Sequence, residues 1–241
     1  MIENLQAHYG FTRSPFGKAL APQMLHRHNA HGEAVARIGW CLTEKALGVI
    51  TGEAGAGKTV AIRAALAGLD ASRTTIVYLG NPAVGARGLY AGIVLALGGT
   101  PRYQKSMLIP QTADLLAAEE HERGRNVVIV LDEAHLLGVD QLEELRLLSN
   151  AELDSHSPFA CLLVGQPTLR RRIKLGTFAA LDQRIALSHR AQADSIFEVV
   201  HLVKVVAPAT IDYREHDATL ELAHGGLSEG GRAGRILHPG I

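Results

Sequence analysis

Gly52-Glu53-Ala54-Gly55-Ala56-Gly57-Lys58-Thr59 satisfies the pattern G-x-x-x-x-G-K-[ST] at every fixed position. Ahead of it stands Ala46-Leu47-Gly48-Val49-Ile50-Thr51, a short apolar run of buried-strand character. Behind it, Val60-Ala61-Ile62-Arg63-Ala64-Ala65-Leu66-Ala67 reads as a helix. Strand, glycine-rich loop and helix in that order are the setting in which the pattern has physical meaning. Glycines let the backbone wrap an anion so that successive N–H groups aim at its oxygens. The N-terminus of the following helix adds partial positive charge. The loop from Gly52 to Thr59 is therefore expected to cradle phosphates, with Lys58 on the β- and γ-phosphates and the Thr59 hydroxyl on Mg²⁺. The alternative is a chance glycine-rich turn, against which both flanks argue. A nucleotide-binding protein is the expectation.

The second informative stretch is Asn126-Val127-Val128-Ile129-Val130-Leu131-Asp132-Glu133-Ala134-His135. Its unbroken aliphatic run predicts a central parallel strand buried on both faces, and the C-terminal end of such a strand is where open α/β sheets place ligand chemistry. Asp132 there is suited to the metal and Glu133 to polarising an attacking water as general base. Taken alone, an apolar run ending in Asp-Glu also describes a strand followed by a cap. Phe159-Ala160-Cys161-Leu162-Leu163-Val164-Gly165-Gln166-Pro167 predicts another buried strand with a polar residue at its end. If that strand neighbours the Asp132 strand, Gln166 could touch a γ-phosphate or the attacking water. A turn residue whose amide bonds nearby backbone is the competing expectation.

Between these stretches, Arg73 to Leu79 reads as a strand ended by Gly80-Asn81-Pro82, and residues 86–98 as a helix closed by Gly98-Gly99-Thr100-Pro101. A further helix is expected from about Thr112 to Arg123, terminated by Gly124. Residues 138–153 carry an amphipathic pattern, with Leu142, Leu145, Leu148 and Ala151 inward and Glu143, Glu144 and Arg146 outward. From Gly32 to Lys45, Val35, Ile38, Trp40 and Leu42 fit an amphipathic helix only loosely. His26, His28 and His31 stand close together without a cysteine or carboxylate cluster, so a solvated helix start is a better account than a metal site.

Composition bounds the class. A chain of 241 residues with 47% hydrophobic and 20% charged residues suits a soluble protein with one large domain, or one with a small appendage. Formal net charge is zero and aromatic residues make up 5%, so neither a global basic field nor a stacking platform for nucleic acid is available. The one concentrated positive charge is Arg170-Arg171-Arg172-Ile173-Lys174, which could grip DNA phosphates or be a solvated helix face. In Leu181-Asp182-Gln183-Arg184-Ile185, Arg184 could act in trans on a neighbour's γ-phosphate or be a plain surface residue. Cys41 and Cys161 sit in apolar surroundings and read as reduced core residues. No apolar run approaches membrane-spanning length, and Met1-Ile2-Glu3-Asn4 does not open a signal peptide, which makes a cytoplasmic location the default.

Taken together, these pieces resemble the AAA+ ATPases, and more narrowly the ExeA-like group and the related transposition-helper (TniB-like) ATPases. The resemblance is carried by His8-Tyr9-Gly10-Phe11 with Ser14-Pro15-Phe16, by Thr51 to Thr59, and by Val130-Leu131-Asp132-Glu133-Ala134-His135. Leu163-Val164-Gly165-Gln166-Pro167 and Leu181-Asp182-Gln183-Arg184-Ile185 complete it. It implies a three-layer α/β sandwich with a central parallel sheet, and ATP with Mg²⁺ bound between protomers of a homo-oligomer. Gln166 would stand at the sensor-1 position, and Arg184 would be the arginine finger given to the adjacent subunit. Members work either with secretion machinery or as DNA-binding regulators that deliver double-stranded DNA to a transposase. The secretion type usually carries a membrane anchor and a cell-wall-binding domain. This sequence shows neither, so the transposition-helper role is the expectation.

Three segments follow: an N-terminal arm over 1–31, an ATPase core over 32–190, and a tail over 191–241. Residues 196–206 are more strand-like than helical, and 224–240 are glycine-rich, unlike the family's helical lid. ATP binding and hydrolysis are the expectation; a diverged, poorly packed tail, or one altered by a reading-frame change, gives the alternative of a remnant that binds nucleotide without turnover.

Overall fold

The apolar runs beside the glycine-rich loop become the middle of a five-stranded sheet. Its strands are β1 (Leu47–Thr51), β2 (Thr74–Leu79), β3 (Asn126–Leu131), β4 (Phe159–Gly165) and β5 (Ile185–Arg190), in the order β2-β3-β4-β1-β5. Every neighbouring pair is parallel. The computed structural model describes residues 29–150 and 157–191, which fall within one compact unit, residues 21–200. The expected N-terminal arm up to residue 28, Ala151, and the tail beyond Ala191 lie outside the described residues.

Parallel strands need crossover connections, and helices supply them on both faces. They are α1 (Asn29–Thr43), α2 (Lys58–Ala67), α3 (Gly85–Ala96), α4 (Lys105–His121), α5 (Val139–Leu148), α6 (Pro167–Ile173) and α7 (Ala179–Arg184). Side chains alternate between the two faces along each strand, as the period of two requires. Val49, Ile129, Leu131, Cys161 and Leu163 join one apolar cluster with Ile93, Leu116, Leu142 and Leu169 from α3 to α6. Ile50, Val128, Val130, Leu162 and Val164 join the other with Ile38, Cys41, Ile62 and Ala65 from α1 and α2. Helices, sheet and helices form the three-layer α/β sandwich that the sequence led us to expect. No helix among the described residues is long and apolar enough to cross a membrane.

Several expectations shift once packing is visible. On α1 the buried stripe is Ala34, Ile38, Cys41 and Leu42, a regular helical spacing, while Trp40 is 51% exposed. Helix α4 begins at Lys105, seven residues earlier than expected, and carries Pro110 inside it. Leu108, in the turn before the proline, is fully buried, so the helix is held by packing although Pro110 removes a backbone bond. Helix α5 ends at Leu148, and Glu144 is not outward: it accepts the Tyr90 hydroxyl at 2.7 Å and pairs with Lys105. Burial opposes the charge on Glu144, but the Lys105 and Tyr90 bonds win and hold its carboxyl below the usual range. The segment after Arg184 proves to be an edge strand, β5, anchored by buried Leu187.

Candidate nucleotide site

Register brings the chemistry to one edge. Thr51 pairs with Gly165 and with Arg190, and Leu131 pairs with Leu163, so β1, β3 and β4 end nearly level. Asp132, Gln166 and Gly52 therefore follow one another, in that order, across the C-terminal edge of the sheet. Strand β4 lies between the loop strand and the Asp132 strand. The Gln166 position is thus between the glycine-rich loop and Asp132, and the two outer positions are about 10 Å apart at ordinary strand spacing.

The loop has the backbone conformation that the expected anion cradle requires. Gly55 and Gly57 have φ of 82° and 73°, the left-handed region that an L side chain enters only with strain. A Cβ at either would meet nothing within 4 Å, so both positions face open space. Lys58 Nζ donates to Gly52 O and Glu53 O, both at 2.8 Å, which folds the side chain back over the loop. Gly52 N donates to Gly165 O at 3.2 Å and Ala191 N to Thr51 O at 2.6 Å, fixing the start of the loop to β4 and to the chain leaving β5. Thr59 is exposed in the first turn of α2, while Glu53 and Ala54 are exposed and Ala56 is buried.

On the other side, both Asp132 carboxylate oxygens are engaged. Oδ1 accepts the Glu133 backbone N–H at 2.9 Å, and Oδ2 accepts the Tyr78 hydroxyl at 2.8 Å. Partial burial, then the Asp132 bond, push the Tyr78 phenol up to about 12, so it stays a donor at any ordinary pH. Tyr78 was not apparent in the sequence as a site residue. Its position depends on β2 lying beside β3, with Tyr78 opposite Val130. The oxygen donors available, Thr59 and Asp132, suit a hard cation such as Mg²⁺.

Glu133 is exposed and itself left-handed, at φ 52° and ψ 32°. Its Oε2 lies 3.2 Å from His135 Nδ1, within ion-pair reach, although the buried ring nitrogen is not aligned for a hydrogen bond. Gln166 is exposed and caps α6 through its carbonyl, which accepts from Leu169 N at 3.0 Å; its side-chain amide makes no capping bond.

Of the basic run, one member turns inward. Arg172 donates to His135 O and Leu137 O, both at 2.7 Å, and Lys174 pairs with Asp182 at 2.9 Å. Arg170 and Arg171 are exposed. Arg184 stands apart from the loop. It precedes Ile185, which pairs with Leu47 at the opposite end of the sheet, and its guanidinium reaches Ser149 Oγ at 3.5 Å.

The AAA domain family matches residues 42–173, which contain the loop, Asp132, Glu133 and Gln166. The chain belongs to the AAA-domain family. General secretion pathway protein A of Aeromonas hydrophila is 34% identical over 181 residues, 73% of this chain and 32% of that protein. The chain thus spans about a third of the length of the curated relative it matches. Among solved structures, Cdc6p from Pyrobaculum aerophilum superposes with a TM-score of 0.61 at 17% identity, covering 81% of this chain and 54% of that one. The ORC1 protein of Aeropyrum pernix in complex with DNA gives 0.61 at 13% identity, covering 84% and 56%. At such identities the likeness is one of fold, and it is the fold of AAA+ P-loop NTPases.

Proposed function

We propose that this AAA-domain chain binds Mg²⁺ and ATP in the loop from Gly52 to Thr59 and hydrolyses the nucleotide. The observation that carries the proposal is the convergence of Lys58, Thr59, Asp132, Glu133 and Gln166 at one edge of the parallel sheet. Loop amides and the Lys58 ammonium bind and orient the phosphates. Thr59 and Asp132 hold the metal, which when bound neutralises charge developing on the β- and γ-oxygens. Glu133, with a side chain 52% exposed, polarises the attacking water. Gln166 contacts the γ-phosphate or that water, and Arg184 is supplied to the nucleotide of an adjacent copy in a homo-oligomer. We place this work in the cytoplasm, where ATP and Mg²⁺ are supplied.

Two readings of the coupled partner follow. The first is a regulator that binds double-stranded DNA and assists a transposase. The second couples turnover to a protein partner. It is favoured by the 34% identity to General secretion pathway protein A and by the engagement of Arg172 on two backbone carbonyls, which takes one cation out of the basic run.

ATP binding and hydrolysis by the full chain, with and without double-stranded DNA at low and high salt, test both levels. Lys58→Ala is expected to weaken ATP binding roughly 10- to 100-fold, the worth of a charge-assisted bond. Glu133→Gln is expected to bind normally and lose turnover by about 10²-fold or more. Salt-sensitive stimulation by DNA selects the first partner reading, and indifference to DNA the second. Binding without turnover in the parent chain points to the diverged tail, and absence of ATP binding refutes the proposal.

A further inference from the structure

The sequence offers Arg170 to Lys174 as one basic patch, yet Arg172 is turned inward. We propose that Arg172 is a positioning residue for hydrolysis: its guanidinium fixes the turn that presents Glu133 and ties that turn to the helix begun by Gln166. The inference rests on the reading of Glu133 as general base.

Glu133 occupies a left-handed backbone conformation that an L residue enters only with strain. Such a residue persists only where its surroundings over-determine it. Within the turn, Glu133 N binds Asp132 Oδ1, and Leu136 N and Leu137 N close on Glu133 O and Ala134 O at 2.9 and 3.2 Å. From outside the turn, Arg172 adds two bonds with its two terminal nitrogens, one to His135 O and one to Leu137 O. Each terminal nitrogen of the planar guanidinium meets its own carbonyl, whereas a lysine here brings a single nitrogen and a shorter reach and cannot reproduce both bonds in the same geometry.

The other end of the coupling is short. Helix α6 runs from Pro167 to Ile173 with Gln166 as its N-cap, so Gln166 and Arg172 move as one body. The exit of β4 presses on the same turn: a Cβ at Gly165 would stand 3.1 Å from His135 N. The group expected to contact the γ-phosphate and the group expected to polarise water are therefore held at a fixed separation through Arg172.

The test uses the full chain carrying Arg172→Lys or Arg172→Ala, with Glu133→Gln in parallel. ATP affinity, KM, kcat and hydrogen exchange over residues 132–137 are measured. We expect ATP affinity and KM of Arg172→Lys to stay within about two-fold of the parent while kcat falls roughly 10- to 100-fold, as a misplacement near 1 Å produces. Amides of Leu136 and Leu137 should exchange about ten-fold faster, with the rest of the sheet unchanged. Millimolar methylguanidinium should restore part of the lost turnover in Arg172→Ala. If Arg172→Ala does not fold, Arg172→Lys decides alone.

Parent-like exchange in the turn overturns the inference whether or not the parent chain turns over. So does parent-like kcat in Arg172→Lys, or a kcat loss matched by an equal loss of ATP affinity. With Glu133→Gln binding but inactive, such results refute only the role of Arg172. Turnover by Glu133→Gln at the parent rate refutes the reading beneath it.

Discussion

Replacing Gly52 by alanine tests how the loop is fixed at its origin. A Cβ at this position would lie 2.6 Å from Ala191 O and 3.1 Å from the Cβ atoms of Ala191 and Ala56. A carbon and a carbonyl oxygen normally approach to no less than about 3.3 Å, so one backbone segment must yield by roughly 0.7 Å. Neither is free to do so, because Ala191 N binds Thr51 O and Gly52 N binds Gly165 O. Overpacking of this kind costs about 1–3 kcal/mol, and sacrificing one of those bonds about 1 more, for a total of roughly 2–4 kcal/mol. Gly52→Ala should lower the unfolding free energy by that amount in guanidinium titrations and weaken ATP binding at least ten-fold, because the displaced segment is the cradle itself. Gly55→Ala is the contrasting control. Its Cβ meets open space and its cost is the left-handed backbone alone, about 1–2 kcal/mol. Equal stability of Gly52→Ala and the parent, with unchanged ATP affinity, would refute the account of how Ala191 buttresses the loop.

Three further outcomes are expected. Tyr78→Phe removes the donor to Asp132 Oδ2 with little change of shape; the Mg²⁺ concentration for half-maximal ATP binding should rise roughly three- to ten-fold, with metal-free nucleotide binding unchanged, and an unaltered Mg²⁺ dependence counts against the role. Ile129→Ala, at a fully buried site between the helical layers, should cost about 2–5 kcal/mol in denaturant titration. His189 is held below its ordinary value of 6.5, first by burial and then by Arg37, against the opposing pull of Glu33. The unfolded chain therefore binds that proton more readily. Stability from this group is complete above pH 6.5 and is lost as pH falls through the depressed value. His189→Gln should flatten this slope, and an unchanged slope assigns the pH dependence elsewhere.

Much of the site was legible because its signals are local. Gly52 to Thr59 specify their own turn chemistry, and five aliphatic residues before Asp132 specify a strand buried on both faces. What escaped depends on partners distant in sequence. Glu144 looks solvent-facing on its own helix, and only the arrival of Tyr90 and Lys105 turns it inward. Tyr78 joins the site only because β2 is placed beside β3, which periodicity within β2 cannot reveal. A run of arginines reads as a surface patch until its third member is found on two backbone carbonyls. Local pattern supplied four of the five strands and the loop, but not the edge strand β5. The strand order supplied the neighbours.

The same topology constrains the role proposed for Arg184. Arg184 leads into Ile185, which pairs with Leu47, the first residue of β1, whereas the phosphate loop begins after Thr51, the last. Five residues of strand separate the two positions by about 16 Å along the sheet, farther than an arginine side chain extends. Its guanidinium is also directed toward Ser149, beyond the end of α5. Within one protomer Arg184 therefore cannot contact the nucleotide that Lys58 and Thr59 would hold. If Arg184 acts on a phosphate, that phosphate belongs to another copy. Arg184→Ala should then leave ATP binding by isolated protomers intact and lower turnover only at concentrations where the chain self-associates. Turnover independent of protein concentration, and equally reduced at every concentration by Arg184→Ala, would rule out action in trans and leave Arg184 a structural contact of α7.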